Sequence, residues 1–495
     1  MTLRLFSALA LLLTVACGGG AAPAGPAEST NGGSVNGGSA AMGGAPTSGG
    51  TPASGGAAAQ AGQSTAGSAS GSAGGGASGG GGSGGANGGG EASGGGGGAG
   101  AGGATSLAGA AGTGGAAGGG NAGGNASHWV GTWACAPQLT EPANLPPSPG
   151  LAGNTLRQMV RVSIGGSQLR LRLSNQYGTS AVSLASVHVA LSKGGGAIDS
   201  TTDKALSFSG MPSVTIPSGQ AVFSDALDFT LAPSSDLAIS MRFSAQSGDV
   251  TGHPGSRTTS FLQSGDAVSA ASLASAVKAE HWYFITGLDV MADAASAAVV
   301  ILGDSITDGR GSTTDKNNRW PDILAKRLLA NSATSKLGVL NMGIGGNNVL
   351  SEGLGPPAVV RFDRDVLQQS GARWLIVLEG VNDLGEGADV GAALIDAYKS
   401  FVSKAHAAQM RAYGVPILPI GGSMYAPGES TRATVNEWIR TSKTFDAVID
   451  LDAAVRDPAA PTRLLAAYDS GDHLHPSPDG YKKMGEAIDL SLFAP

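Results

Sequence analysis

The sequence predicts a three-layer α/β domain with a mainly parallel sheet, preceded by an all-β, sandwich-like domain and a long disordered tether. Three observations predict it. From Gly18 to Ala126 the chain is almost entirely Gly, Ala, Ser, Asn and Thr. Between His128 and Asp293, apolar residues recur at alternate positions in short runs split by Gly, Ser and Asp, the pattern of half-buried antiparallel strands. After Ala294 continuous apolar runs alternate with helix-period stretches, which is how a parallel sheet covered by helices reads.

The chain starts with Met1 to Arg4, short and weakly basic, and continues with an apolar run from Leu5 to Ala16. That run is too short to cross a bilayer as a mature helix, so residues 1–16 read as a secretory signal. The Ala16-Cys17 junction, followed by glycines, resembles a bacterial lipoprotein signal, which implies lipidation of Cys17. Thr14 departs from that pattern, where an aliphatic residue is usual, and an ordinary secretory signal is the alternative. The expected location is outside the cytoplasm, lipid-anchored at the bacterial cell envelope or otherwise secreted. The other cysteine, Cys135, lies in Trp133-Ala134-Cys135-Ala136 and reads as a small buried apolar residue. A Cys17–Cys135 bridge would have to close a long glycine-rich loop with no packing to hold its ends, and is disfavoured.

Residues 17–126 form the tether. Between Gly18 and Ala126 the charged residues are Glu28 and Glu91, with no Lys, Arg or aromatic. Such a segment cannot bury enough apolar surface to offset its ordering entropy. As a glycine-rich coil it would span about 55–60 Å. Gly76-Ala77-Ser78-Gly79-Gly80 matches a nucleophile-elbow pattern but is set aside, since no strand precedes it and no helix follows.

Residues 127–294 form the β domain. Leu169, Leu171 and Leu173 alternate with Arg170, Arg172 and Ser174; Val187, Val189 and Leu191 alternate with His188 and Ala190; Leu237, Ile239, Met241 and Phe243 follow the same period. Residues 295–495 form the α/β domain. Strands are expected at 297–302, 339–340, 374–378, 415–420 and 447–451. Trp320, Ile323, Leu324, Arg327 and Leu328 share one helix face, and Leu394, Tyr398, Phe401, Val402 and Ala405 another. Ser477-Pro478-Asp479 opens the last helix, with Ser477 as cap and proline in the first turn.

In open α/β sheets, sites gather beyond the carboxyl ends of the strands. Four polar clusters fall there: Gly303-Asp304-Ser305-Ile306-Thr307-Asp308-Gly309, Asn341-Met342-Gly343-Ile344-Gly345-Gly346-Asn347, Gly380-Val381-Asn382-Asp383, and Asp472-His473-Leu474-His475-Pro476. Acyl transfer needs a hydroxyl, a base to take its proton, a carboxylate to orient that base, and donors for the oxyanion. Asp472 and His475 lie close enough on one loop for the carboxylate to reach the ring, and Pro476 biases His475 toward an extended backbone. Asn382 offers a side-chain N–H; Ser305 and Gly346 offer backbone N–H groups.

The four clusters resemble blocks I, II, III and V of the SGNH/GDSL hydrolase superfamily, in the family's order. The resemblance implies a flavodoxin-like α/β fold. It implies Ser305 as nucleophile, Asp472 and His475 as its acid–base pair, and Ser305, Gly346 and Asn382 as the oxyanion hole. Leu156-Arg157-Gln158, Arg361-Phe362-Asp363-Arg364-Asp365 and Asn436-Glu437-Trp438-Ile439-Arg440 are similar to secreted bacterial members with an N-terminal β domain, the xylan-associated XynE-type esterases. This extends the resemblance over residues 128–495.

Each fragment alone has a plainer reading. Gly-Asp-Ser and Asn-Asp are ordinary turn chemistry, the glycine-rich stretch after Asn341 suits a strand-to-helix turn, and His-x-His beside acids is ligand-like. His473 is the rival base. His128, His188, His253, His281 and His406 read as turn, edge or surface residues. Asp304, Asp308 and Asp383 are expected to hold loops. Trp320 and Trp374 read as core, and Trp282 and Trp438 as packing rather than a sugar site. The ordered set of four clusters is what singles out a serine esterase, with no metal and no cofactor. Its expected substrate is a small-molecule or polysaccharide ester, by family analogy a short-chain acetyl ester of carbohydrate. A formal net charge of −7 offers no basic excess for nucleic acid or an anionic membrane, so membrane contact is expected only through the lipid anchor. The rival readings are a lipase or lysophospholipase, an O-acyltransferase, and a non-catalytic surface carbohydrate-binding protein. The oligomeric state is left open.

Overall fold

Period-two alternation between His128 and Ala292 produces two antiparallel sheets in the computed structural model, which describes residues 127–385 and 390–494. The leader, the Cys17 lipidation site, the 17–126 segment and Gly76-Ala77-Ser78-Gly79-Gly80 lie outside the described residues. One sheet runs His128–Ala134, Ile285–Ala292, Gly166–Ser174 and Leu227–Leu231, with Ala221–Phe223 also on Gly166–Ser174. The other is built around Asn154–Arg161, Asp236–Ala245 and Val182–Gly194. Leu169, Leu171 and Leu173 from the first and Val187, Val189, Ile239 and Met241 from the second are buried in one apolar cluster, so the facing sides share a core. The opposite register carries the charges: Arg170 pairs with Asp289 at 2.7 Å and lies over the Trp129 and Phe223 rings.

A third, small sheet of Gln138–Leu139, Thr251–His253 and Trp282–Tyr283 extends this region toward the α/β part. Gln158 fixes it to the larger sheet, donating from Nε2 to the Tyr283 carbonyl (2.9 Å) and accepting from the Tyr283 N–H (2.6 Å). Arg157 beside it is fully buried, its guanidinium donating to Ser240 Oγ and to the carbonyls of Gly196, Val268 and Ala270. A buried charge is tolerated when its donors are met in this way.

The chain turns through Asp293-Ala294-Ala295-Ser296 into the fully buried strand Ala297–Gly303. Five parallel strands follow in the order Leu337–Gly343, Ala297–Gly303, Ala372–Leu378, Arg411–Gly414, Ala447–Val448. This is the flavodoxin-like order, with its topological switch between the first and third strands. Helices Trp320–Ala330 and Pro478–Ala487 pack together, as do Gly391–Ala407 and Glu429–Thr441, and the two pairs complete the layers. Leu337–Gly343 at the sheet edge is covered by His128–Ala134. A Cβ on Gly338 would sit 2.2 Å from the Gly131 carbonyl oxygen, so that approach requires glycine.

The second and third strands run longer than the sequence reading, as Leu337–Gly343 and Ala372–Leu378, and the fourth and fifth differ more. The fourth strand is Arg411–Gly414, not 415–420. Val415 still donates to Val377 at 3.0 Å, but Ile417 is bonded instead by Asn436, which accepts from its N–H (2.7 Å) and donates to its carbonyl (2.8 Å). An apolar, extended run can thus be buried without a ladder when side chains satisfy its backbone. The fifth strand stops at Val448, because Asp450 caps the N–H of Ala453 and starts the helix Leu451–Val455.

Candidate active site

Ser305 stands at the switch point, at the start of the one-turn helix Ser305–Asp308 just beyond Ala297–Gly303. Asp304 caps that turn, accepting from the Ile306 N–H at 2.9 Å, and Gly309 (φ +103°) ends it. Gly303 cannot be larger: a Cβ would lie 2.2 Å from Thr307 Oγ1 and 2.7 Å from the Leu378 carbonyl oxygen.

The four clusters meet around this serine. Ser305 Oγ lies 2.8 Å from His475 Nε2, and His475 Nδ1 lies 2.6 Å from Asp472 Oδ2. The other Asp472 oxygen accepts the N–H groups of His475 (2.8 Å) and Leu474 (3.1 Å). Partial burial works to raise the Asp472 carboxyl, but the hydrogen bonds from His475 and Leu474 outweigh it and hold the group well below the usual carboxylate range. His473 is turned the other way. It has φ +62°, and its exposed ring lies 2.6 Å from Asp469. The two histidines of the His-x-His fragment therefore bind different aspartates.

Gly346 has φ +68° and faces the same cavity as Ser305 and Asn382. Asn382 donates from Nδ2 to the Asn347 carbonyl (2.8 Å), and its Oδ1 accepts from the Tyr425 hydroxyl (3.1 Å). An amide nitrogen carries two hydrogens, so one N–H remains beyond the bond to Asn347. Asp383, next along, accepts the N–H groups of Val349 and Leu350 and so holds the loop that follows Gly346. Both aspartates expected to hold loops, Asp304 and Asp383, do so. The third, Asp308, does more.

Asp308 Oδ1 lies 2.9 Å from His253 Nε2, while His253 Nδ1 lies 2.9 Å from the Ala136 carbonyl oxygen. Both side chains are buried, which corrects the edge position expected for His253. The other Asp308 oxygen sits beneath Gly255, where a Cβ would fall 1.6 Å from it. The serine-bearing turn is thereby tied to the β region. Arg361, also fully buried, gathers the strand ends: it donates to the carbonyls of Gly303 and Met342, to Asn347, and toward Asp365 and Glu379. Burial pushes Asp304 up to about 7 and Glu379 up to about 8, each opposed by Arg361.

Ser305 opens into a cavity of about 470 Å³. The β region supplies one wall, including Gln138, Glu141, Asn144, Arg257 and His281; Arg310, Leu354, Tyr425 and Leu474 lie on the other. Apart from Leu474, which lies within the aspartate–histidine cluster, none of these wall residues was singled out from sequence for the site. Tyr425 was within reach of that reasoning, since it follows the fourth strand in a loop at the carboxyl end. The β-region residues gave no signal, because their approach to Ser305 depends on packing between distant segments. Trp282, in contrast, packs edge-on against Trp133, Trp438 stacks on Tyr398, and Cys135 is buried with its thiol 3.3 Å from the Ile285 carbonyl.

Residues 301–483 match the GDSL-like lipase/acylhydrolase family. No curated protein matches the chain. Among solved structures, the chain is similar to a protein described as a lipolytic protein of the G-D-S-L family from Desulfitobacterium hafniense DCB-2, at 24% identity over 39% of this chain and 97% of that one, with a TM-score of 0.32. It is similar to an acetylxylan esterase from Geobacillus stearothermophilus at 19% identity over 39% and 93%, TM-score 0.30. An aryl esterase from M. smegmatis matches at 13% identity over 40% and 99%, TM-score 0.32. With the family match spanning the segment that holds the serine, the glycine-rich loop, the asparagine and the aspartate–histidine loop, residues 301–483 are a GDSL-like lipase/acylhydrolase domain, and the chain carries a carboxylic ester hydrolase.

Proposed function

We propose that the chain hydrolyses short-chain acyl esters of carbohydrate, acetyl esters above all, through an acyl-enzyme on Ser305. The observation that carries this reading is the unbroken contact from Ser305 Oγ through His475 to Asp472, at 2.8 and 2.6 Å, opening on the cavity. His475 takes the serine proton as Oγ attacks the ester carbonyl, then gives it to the departing alcohol. Asp472, kept ionised by its hydrogen bonds, orients the ring and stabilises the imidazolium. The N–H groups of Ser305 and Gly346 and the remaining N–H of Asn382 receive the oxyanion. Water activated by His475 then releases the acid. A polar alcohol fits the wall of amides and charged groups at Gln138, Glu141, Asn144, Arg257 and Arg310. We place the enzyme outside the cytoplasm, held at the envelope through lipid on Cys17.

Activity on acetyl, butyryl and longer 4-nitrophenyl esters, measured beside acetate release from acetylated xylan, tests the substrate. Acetyl esters are expected to give the highest kcat/KM, with acetate released from the polysaccharide. Rates that climb with chain length and leave xylan untouched would favour a lipase. Transfer of acetyl to an added sugar would favour an acyltransferase.

Asn382→Ala tests the oxyanion hole. One donor lost in the transition state lowers kcat by about 10²–10³ and leaves KM nearly unchanged. The Tyr425 hydroxyl, whose pKa burial raises, donates to the amide oxygen and so fixes the amide's orientation. If Asn382 only props the loop at Asn347, the variant melts lower while the folded fraction turns over normally.

A further inference from the structure

One arginine in the cavity enters no ion pair among the described residues. Arg257 lines the cavity, partly buried, on the loop that follows Thr251–His253. Its Nε is buried without a hydrogen-bond partner, and its guanidinium enters no ion pair among the described residues. Arg161, Arg319 and Arg364 are tied to carboxylates, Arg161 to Asp236 at 2.5 Å, Arg319 to Asp322 at 2.8 Å and Arg364 to Asp365 at 2.6 Å, while the partly buried Arg172 lies over the Phe223 ring. A guanidinium N–H buried without an acceptor is costly, and the planar fork that carries it suits a carboxylate.

The backbone around Arg257 is held as if its position mattered. Its φ is +51°, a region that side-chain-bearing residues rarely adopt. The Arg257 carbonyl accepts from the Asp315 N–H at 3.0 Å, the Asp315 carboxylate accepts from Thr259, and Ser256 and Thr258 bond each other across the arginine. Two residues earlier, Gly255 rests on the Asp308 carboxylate, and His253 bonds it. Asp308 closes the helical turn that Ser305 opens. The arginine is thus indexed to the nucleophile through a short, buried path.

The carboxylates of the cavity are already engaged. Glu141 accepts from Gln138 (2.8 Å) and Asn144 (3.0 Å), Asp308 is bonded to His253 through one oxygen with the other buried beneath Gly255, and Asp472, next to the cavity, is bonded to His475. Arg310, which also lines the cavity, lies 4.0 Å from Asp472. Two cations therefore face the space beside Ser305, one of them unpaired.

We propose that Arg257 recognises a carboxylate carried by the substrate close to its scissile ester. This rests on the esterase reading of Ser305 and narrows it to anionic esters. The carboxylate can belong to the alcohol, as in an acylated uronic acid, or to the acyl group, as in a dicarboxylic half-ester.

Two matched pairs of esters separate these sources. 4-Acetoxybenzoate against its methyl ester places the charge on the alcohol. 4-Nitrophenyl hemiadipate against 4-nitrophenyl methyl adipate places it on the acyl group. The reading is the ratio of kcat/KM for charged over neutral partner, corrected for spontaneous hydrolysis. Loss of folded protein scales both partners alike and leaves this ratio intact. In the wild type, one pair is expected to favour the charged ester by at least about tenfold, and Arg257→Leu to remove that preference. If neither pair favours the anion, or if the Leu variant keeps the wild-type ratio, the assignment is wrong. If the wild type hydrolyses none of the four, the esterase reading itself fails and takes this inference with it.

Discussion

Ser305→Ala is expected to lower kcat for ester hydrolysis by at least about three orders of magnitude while the fold and melting temperature stay essentially unchanged. The hydroxyl is the group within 2.8 Å of the base, and the turn that carries it is held by other atoms: the Asp304 cap, the Gly309 terminus and the Asp308–His253 contact. Removing one oxygen disturbs none of these. Whatever rate remains would come from oxyanion stabilisation and positioning acting on water. Activity within tenfold of the wild type, in protein free of contaminating esterase, would contradict the role given to Ser305.

The second large effect separates two histidines that lie two residues apart. His475→Ala should be about as damaging as losing the serine hydroxyl, because without the base the hydroxyl is a poor nucleophile. His473→Ala should leave kcat within about threefold of the wild type, as expected of an exposed substitution remote from the chemistry, since its ring is directed to Asp469 and away from Ser305. The comparison controls for the loop, which both substitutions touch. If the His473 variant is the inactive one, the base is misassigned.

Much of this was legible in the sequence, for identifiable reasons. Strand ends in an open parallel sheet converge at the switch point, so the three clusters that follow the first three strands had to meet, and the Asp472–His475 loop before the last helix joins them. The fully apolar run at 297–302 and the capped start at Ser477-Pro478 were local signals of that kind, and both elements formed there. The fourth and fifth strands were misread because burial of 415–420 depends on Asn436, and the end of the fifth on a cap at Asp450, rather than on local pattern. The β-region wall was illegible. His253 and Arg257 approach Ser305 only after two sheets, a third small sheet and the parallel sheet have packed together. No periodicity records that.

The central claim, an acyl-enzyme on Ser305, is tested most directly by active-site titration with a fluorophosphonate followed by peptide mass mapping. The account predicts one adduct per chain, on the peptide containing Ser305, formed in the wild type and in the His473→Ala variant and absent from Ser305→Ala. Failure of the wild type to label, or an adduct on another residue that persists in Ser305→Ala, would contradict it.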